Sequence, residues 1–247
     1  MGKRIIILIF LAAFGWSGVG AFGLPRGVGY APATAARYRV PLGAPARIAV
    51  MCRDRATKAS TCWDTASRPT VYDTVALELR VIDYADQRYR LQMEDTSRKY
   101  GFNSRQVKGL FKKMAASDSV NLVKVDSLIQ KYGWLGPDQV GSDGNATVFA
   151  VIQHSNLKTQ ERYLPLMREA VKEGKAKARH LALLEDRVAL GEGRKQIYGS
   201  QLSFPGYAVL PVVSPDSVDI RRASVGLEPL GIYLKECCNV DTVKFAK

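Results

Sequence analysis

Apolar residues recur every three or four positions along most of the chain beyond residue 72, which predicts amphipathic helices. The clearest helix runs from about Asp73 to about Met93. Helices are also expected at 95–117, 118–132, 145–154, from before Leu164 to Gly174, at 176–190 and from Ile220 to Leu234. Asp118 or Ser119 is expected to cap one of them, and Gly133 to end it.

The pattern changes near the C-terminal third of the chain. Residues 195–203 favour a strand, the triplet 204–206 breaks it, and residues 207–213 favour a returning partner. The sequence therefore predicts a mainly α fold: a single helical domain over residues 73–240 with a small β-hairpin near its C-terminal third.

The N-terminus has the order of a secretory signal peptide. Lys3 and Arg4 precede an apolar run from Ile5 to Phe14, and small residues follow as far as Gly23. The run is short for a membrane span. We therefore predict a signal peptide over residues 1–23, a periplasmic or extracellular location, and no integral membrane association after cleavage. An uncleaved N-terminal anchor is the alternative.

Residues 24–72 are predicted to be a linker or N-terminal extension, because Gly, Pro, Ala and Arg dominate its first part without a helical or alternating period. Cys52 and Cys62 make the simplest disulfide of this segment, and export would permit it. Cys237 and Cys238 are either free or paired, and one of them can also reach back to the first pair. Spacing does not decide between these connectivities.

The chain is basic: 36 Lys and Arg residues against 23 Asp and Glu residues give a net charge of +13, which falls to +11 without Lys3 and Arg4. The basic residues are scattered and form no arm of the kind that binds nucleic acid, so a nucleic-acid partner is not expected. They either form a solubilising surface or attract the protein to anionic envelope surfaces.

Two carboxylates fall on apolar helix faces. Asp86 lies on the stripe of the first long helix, with Arg90 one turn later, and Asp186 follows Leu183 by one turn on a largely apolar helix. A carboxylate at such a position is costly unless it is paired. Asp86 with Arg90, and Asp186 with its neighbour Arg187, are therefore candidate members of a polar cluster.

A dense polar run follows Gly193. Gln196, Tyr198, Ser200 and Gln201 stand among apolar residues, which indicates a buried hydrogen-bond network or a ligand site. No Gly-x-Ser-x-Gly sequence surrounds Ser200, so a nucleophile elbow is not supported.

His154 follows Gln153 at a predicted helix end and is one of two histidines in the chain. It is a structural residue, a general base or a metal ligand; no ligand-spacing motif supports the last. In the enzyme hypothesis Asp186 orients His154, which acts as the base of a hydrolase-like reaction. That hypothesis requires a carboxylate on one side of the ring and open space on the other, whereas a ring sealed on both sides favours binding or a structural role.

These residues together resemble an uncharacterised bacterial family, a domain of unknown function often found behind signal peptides. The resemblance covers about residues 75–235 and departs from the usual pattern at Ser200 and Leu135, where the family has Thr and Pro. It implies no activity. The segments that carry it are Asp86-Gln87-x-x-Arg90, Gly133-Trp134, Gln153-His154, Gln160 with Leu164-Pro165-Leu166, Leu184-x-Asp186-Arg187-Val188, Gly193-x-x-Gln196-x-Tyr198-Gly199-Ser200-Gln201, and Arg221-Arg222 with Gly226-Leu227.

We expect the candidate residues to converge on one concavity that holds a small polar ligand or an envelope component, without a metal or cofactor. The catalytic candidates are His154 and Asp186. The ligand-binding candidates are Asp86, Arg90, Gln153, Arg187, Gln196, Tyr198 and Gln201.

Overall fold

The computed structural model describes residues 70–203 and 206–246. The predicted signal peptide, most of the linker, and Cys52 and Cys62 lie outside these residues, so they stay predictions. The described residues form eight α-helices: α1 (Val71–Arg90), α2 (Met93–Tyr100), α3 (Arg105–Tyr132), α4 (Pro137–Gln153), α5 (Leu157–Lys172), α6 (Ala178–Gly191), α7 (Val218–Ser224) and α8 (Leu230–Cys238).

Helix α1 confirms the first predicted helix. Thr70 caps it by accepting a hydrogen bond from the Asp73 amide, and the Asp73 carboxylate accepts one from the Thr70 amide. Its buried stripe includes Asp86 and Arg90 among apolar residues. Helix α1 packs mainly against α4 and α3, so its polar pair faces the centre of the helical core.

Helix α3 differs from the prediction, because residues 105–132 form one continuous helix. The Ser104 side chain caps its start, and Asp118 does not begin a new helix because its carboxylate binds Arg90 instead. Gly133 ends the helix as expected, with a positive φ of 71° that glycine adopts without a Cβ clash.

Helices α4 and α6 carry three of the nine candidate residues, and a fourth, His154, directly follows α4. Helix α4 begins at Pro137, bends at Gly141, where φ is 74°, and ends at Gln153. Helix α6 buries most of its length, as predicted, including Asp186 and Arg187. Between them runs α5, in which Pro165 lies in the interior of the helix rather than near its start.

The predicted β-hairpin is wrong: residues 195–203 and 206–213 contain isolated bridges, such as Gln196 with Val212, but no β-strand. The backbone N–H groups of Ile197, Tyr198 and Ser200 donate hydrogen bonds to the Asp186 carboxylate. In a hairpin these groups would instead donate to the partner strand. A strand here would also have to extend through Gly199, where φ is 67°.

The last predicted helix is two helices, α7 and α8. Gly226, with φ of 74°, and Pro229 separate them. The Sγ atoms of the consecutive residues Cys237 and Cys238 lie next to each other at the end of α8. Across residues 70–203 and 206–246, no helix is long and apolar enough to cross a membrane.

Candidate functional site

The centre of the site is a contact between α1 and α4. His154 Nδ1 lies 2.9 Å from Asp86 Oδ1, and both side chains are buried. Helix α4 brings His154 there because the residue follows the last turn of the helix. The other Asp86 oxygen accepts a hydrogen bond from the Gln87 side chain.

Arg90 completes the buried part of α1. Its guanidinium lies 3.2 Å from Asp86 Oδ1 and donates to the Asp86 carbonyl oxygen. The second guanidinium nitrogen lies 2.8 Å from Asp118 Oδ2 on α3. One guanidinium therefore ties α1 to α3 and pairs with a carboxylate on each helix, as a buried charge requires a partner.

The pKa values of Asp86 and His154 favour an ionised carboxylate beside a neutral imidazole. Burial raises the pKa of Asp86, but hydrogen bonds with His154 and Gln87 and the positive charge of Arg90 act in the opposite direction, and the net pKa is lowered. Burial lowers the pKa of His154 more than its contacts with Asp86 raise it. At neutral pH the Nδ1–H group then donates to Asp86, and Nε2 carries a lone pair.

Two side chains at the end of α4 have polar atoms that are buried without a hydrogen-bond partner among the described residues. They are Nε2 of His154 and both amide atoms of Gln153. Gln153 has no exposed surface. Each buried polar atom of this kind destabilises the fold by about 1–3 kcal/mol. A neighbouring pair of such side chains points to a ligand or a bound solvent molecule.

Arg187 joins this end of α4 to the C-terminal polar run. It donates to the Gln153 carbonyl oxygen at 3.1 Å and to Gln201 Oε1 at 3.0 Å. Burial lowers the pKa of Arg187 to about 10, and the charge of Arg90 acts in the same direction. The two arginines therefore contribute positive potential to the same region.

Asp186 lies in a separate part of the network. Its two oxygens accept hydrogen bonds from the backbone of Ile197, Tyr198 and Ser200 at 2.6–2.9 Å. Burial raises the pKa of Asp186 more than these bonds lower it. Asp86, and not Asp186, is the carboxylate that hydrogen-bonds His154.

Gln196, Tyr198 and Gln201 shape the segment after α6. Gln196 accepts from the Gln201 amide and donates to the carbonyl oxygens of Gln201 and Leu210. Tyr198 enters the network through its backbone. Burial raises the pKa of its half-buried phenol, and the charges of Glu185 and Asp186 act in the same direction.

The structure thus links the nine candidates through short contacts but divides them into two parts. Asp86, Arg90 and His154 join α1 to α4, and Arg187 connects the end of α4 to Gln201. The remaining candidates organise the segment after α6.

Sequence reasoning missed three contributors. Asp118, which has the residue type of a helix cap, binds Arg90 instead. Arg222 is buried and donates to the Tyr198 carbonyl oxygen. Tyr233 donates to the Ser200 carbonyl oxygen. The Arg221-Arg222 pair in the family resemblance pointed to the second of these; no local pattern marked Tyr233.

Metal ligands are not grouped in this part of the chain. In the described ranges, 70–203 and 206–246, no cluster of three or more His, Cys, Asp or Glu side chains has an arrangement that holds a metal ion.

The model of a family of unknown function, DUF6624, matches residues 73–245. The chain belongs to this family. The match spans all the candidate residues, from Asp86 to Gln201. No curated protein and no solved structure matches the chain.

Proposed function

We propose that the protein is a binding module that holds a small polar ligand at the end of α4. The observation that carries this proposal is the pair Gln153 and His154, whose buried side chains offer three polar atoms without a partner in the described part of the chain. Buried polar atoms without hydrogen-bond partners are rare in native proteins, and a ligand that forms these hydrogen bonds would offset the free-energy cost of desolvating the atoms.

The chemistry of these atoms defines the ligand. Because His154 Nδ1 faces the Asp86 carboxylate, Nε2 acts as a hydrogen-bond acceptor at neutral pH. The Gln153 amide both donates and accepts. A matching ligand therefore presents a hydroxyl or amide donor to His154, and both a donor and an acceptor to Gln153. A sugar with an amide substituent has these groups.

The substitution Gln153→Met tests the proposal. Met has a similar volume and no polar side-chain donor, so it removes the two unpartnered atoms while filling the same space. We expect the ligand-free variant to unfold at a higher urea concentration, corresponding to a gain of about 1–3 kcal/mol. Gln160→Met is the matched control: this amide donates to the carbonyl oxygens of Gln153 and Ser155, so its loss should destabilise.

Binding supplies the second measurement. N-acetylglucosamine, with glucose as the amide-free comparison, is titrated into wild type and Gln153→Met by calorimetry. Binding to wild type that is lost in the stabilised variant supports the proposal. A wild type that binds neither sugar, together with a destabilised Gln153→Met variant, would instead assign the cluster to the structural core.

A hydrolase-like enzyme with His154 as general base is the alternative. The neutral ring and its Asp86 partner favour it, since this pairing orients a base. Because Nε2 is buried, either function requires the end of α4 to open; catalysis also requires a substrate to enter and leave at every turnover, which disfavours it. The geometry therefore supports binding better than catalysis.

Export stays part of the proposal through the sequence of residues 1–23. An envelope component would then be the natural source of the ligand. Cell fractionation with mass spectrometry of the N-terminus tests this: a mature chain in the envelope fraction that begins near residue 24 supports export, and an intact cytoplasmic chain contradicts it.

A further inference from the structure

The outer side of α1 carries large apolar residues that the rest of residues 70–203 and 206–246 leaves exposed. Leu77, Val81, Tyr84 and Leu91 are each about 60–70% exposed and recur every three to seven residues. This spacing places them on one stripe of the helix, opposite its buried residues. A contiguous exposed apolar stripe marks an interaction surface rather than ordinary surface composition.

Helix α3 extends the stripe sideways. Ser117 Oγ on α3 donates to the Ala85 carbonyl oxygen on α1, and the rings of Tyr72 and Tyr132 meet at 5.9 Å, so the two helices are antiparallel neighbours. Val120 is close in sequence to Ser117 and more than half exposed. It therefore flanks the middle of the α1 stripe.

Positive charge surrounds these apolar side chains. We define the basic apolar face by the exposed apolar and basic residues of the two outer stripes: Leu77, Arg80, Val81, Tyr84 and Arg88 of α1, Leu91 directly after it, and Arg105, Lys112, Lys113, Val120, Val123, Lys124 and Lys131 of α3. These positions include seven cations. Asp73, an exposed carboxylate in the first turn of α1, lies on the same side of the helix and is hydrogen-bonded to Thr70. The nearby carboxylates Asp86 and Asp118 turn inward to the buried cluster with Arg90.

The cations of the two helices meet at one aromatic ring. The Arg88 guanidinium lies 4.4 Å from the centre of the Tyr89 ring, and the Lys113 ammonium lies 5.7 Å from it. Lys113 also lines a groove of about 570 Å³ between α2 and α3, together with Tyr100 and Arg105. Like charges gathered this closely produce a strong local positive potential that an anion would relieve.

We propose that the basic apolar face docks the protein onto an anionic lipid surface. A helix with exposed Leu, Val and Tyr side chains and flanking Arg and Lys residues is suited to the interface between lipid headgroups and acyl chains. A second copy fits less well, because a two-fold contact on this face would place its cations opposite each other. The proposal does not depend on the ligand site at the end of α4.

Binding of the full chain to lipid vesicles tests whether the positive charge of the basic apolar face contributes to docking. Arg88→Glu with Lys124→Glu should reduce association with phosphatidylglycerol vesicles by about ten-fold or more. Lys158→Glu with Lys195→Glu changes the net charge equally at exposed positions outside the face and should bind nearly as wild type. The N-terminal apolar run is common to all these proteins, and phosphatidylcholine vesicles report its contribution.

A fluorescence measurement tests the contact itself. Tyr84→Trp places a reporter on the face, and Ile220→Trp places one at an equally exposed position on α7. Brominated phosphatidylglycerol should quench the added signal of the first variant and leave that of the second. Equal losses of binding in both charge variants, or no quenching at position 84, would overturn the proposal. So would self-association in light scattering that Val81→Ser abolishes.

Discussion

Asp86 and His154 are 68 residues apart in the chain, yet their side chains meet at 2.9 Å in the protein interior. This contact links α1 to the end of α4. Among the described helices, α1 and α4 also pack against each other most extensively. The buried dyad therefore stabilises the central helix pairing and at the same time fixes which nitrogen of His154 is available to a ligand.

Asp86→Asn should destabilise the protein strongly. The substitution leaves Arg90 with one carboxylate in place of two and weakens the hydrogen bond that orients His154. Removing one partner of a buried ion pair reduces the free energy of unfolding by about 3 kcal/mol or more. Urea unfolding at pH 7 measures the loss. Glu78→Gln, an exposed position on the same helix, is the control and should stay within about 0.5 kcal/mol of wild type.

The outcome for Asp86→Asn also bears on the ligand site. An unchanged unfolding midpoint would mean that the Asp86 carboxylate is not holding α1 to α4 in solution. In that case the orientation of His154 could not be attributed to this contact.

Asp186→Asn should destabilise for a different reason. The two carboxylate oxygens of Asp186 accept three backbone hydrogen bonds. An Asn side chain keeps one acceptor oxygen and puts an NH2 group in place of the other. The displaced amide hydrogens then face another donor, which costs about 1–3 kcal/mol. Thermal unfolding beside Glu161→Gln, an exposed control, measures the effect. A variant as stable as wild type would show that the carboxylate is kept for something other than the fold.

The helical parts of the fold could be predicted from the sequence because their signals are local. The three-to-four-residue period placed Asp86 and Arg90 on the buried stripe of α1, and Gly133 marked the end of α3. The burial of Asp186 followed from the same period on α6. Such patterns depend only on residues within a few turns of one another.

The predictions failed where a side chain distant in sequence forms the contact that the local pattern assigns to a neighbouring residue. Asp118 has the residue type of a helix cap, but Arg90, 28 residues earlier, binds it in the middle of α3. The segment after Gly193 alternates like a strand, but Asp186 takes its amide hydrogens. The sequence also suggested Asp186 as the partner of His154, because no local pattern distinguishes it from Asp86.

Acid should destabilise the protein through its two histidines. Burial lowers the pKa of His180 from its usual 6.5 to about 4, with the charges of Lys177 and Arg179 acting in the same direction, and burial also lowers that of His154. Below pH 6.5 the histidines of the unfolded chain bind protons, whereas those of the folded protein stay neutral. The free energy of unfolding therefore decreases as the pH falls from 6.5 toward 4. His180 accounts for about 3 kcal/mol of this loss in the free energy of unfolding.

The variant His180→Phe isolates this share. His180 stacks on Phe149 with ring centres 4.4 Å apart, so a Phe ring can occupy the same place without titrating. Urea unfolding between pH 7 and pH 4 should show a shallower decline for the variant than for wild type. Identical pH profiles would contradict the buried, neutral state of His180. Asp186, whose pKa burial raises, acts in the opposite direction at the acid end and is common to both proteins.

Two glycine substitutions should change stability in opposite directions. A Cβ at Gly144 on α4 would meet the Val140 side chain at 3.0 Å and Leu79 of α1 at 3.2 Å, so Gly144→Ala should force the two helices apart and destabilise by about 1–3 kcal/mol. A Cβ at Gly109 on α3 meets nothing within 4 Å. Gly109→Ala should therefore stabilise by up to about 1 kcal/mol, because Ala favours the helix more than Gly does. Urea unfolding of both variants checks the signs, and a stabilised Gly144→Ala variant would show that α1 and α4 pack less closely than described.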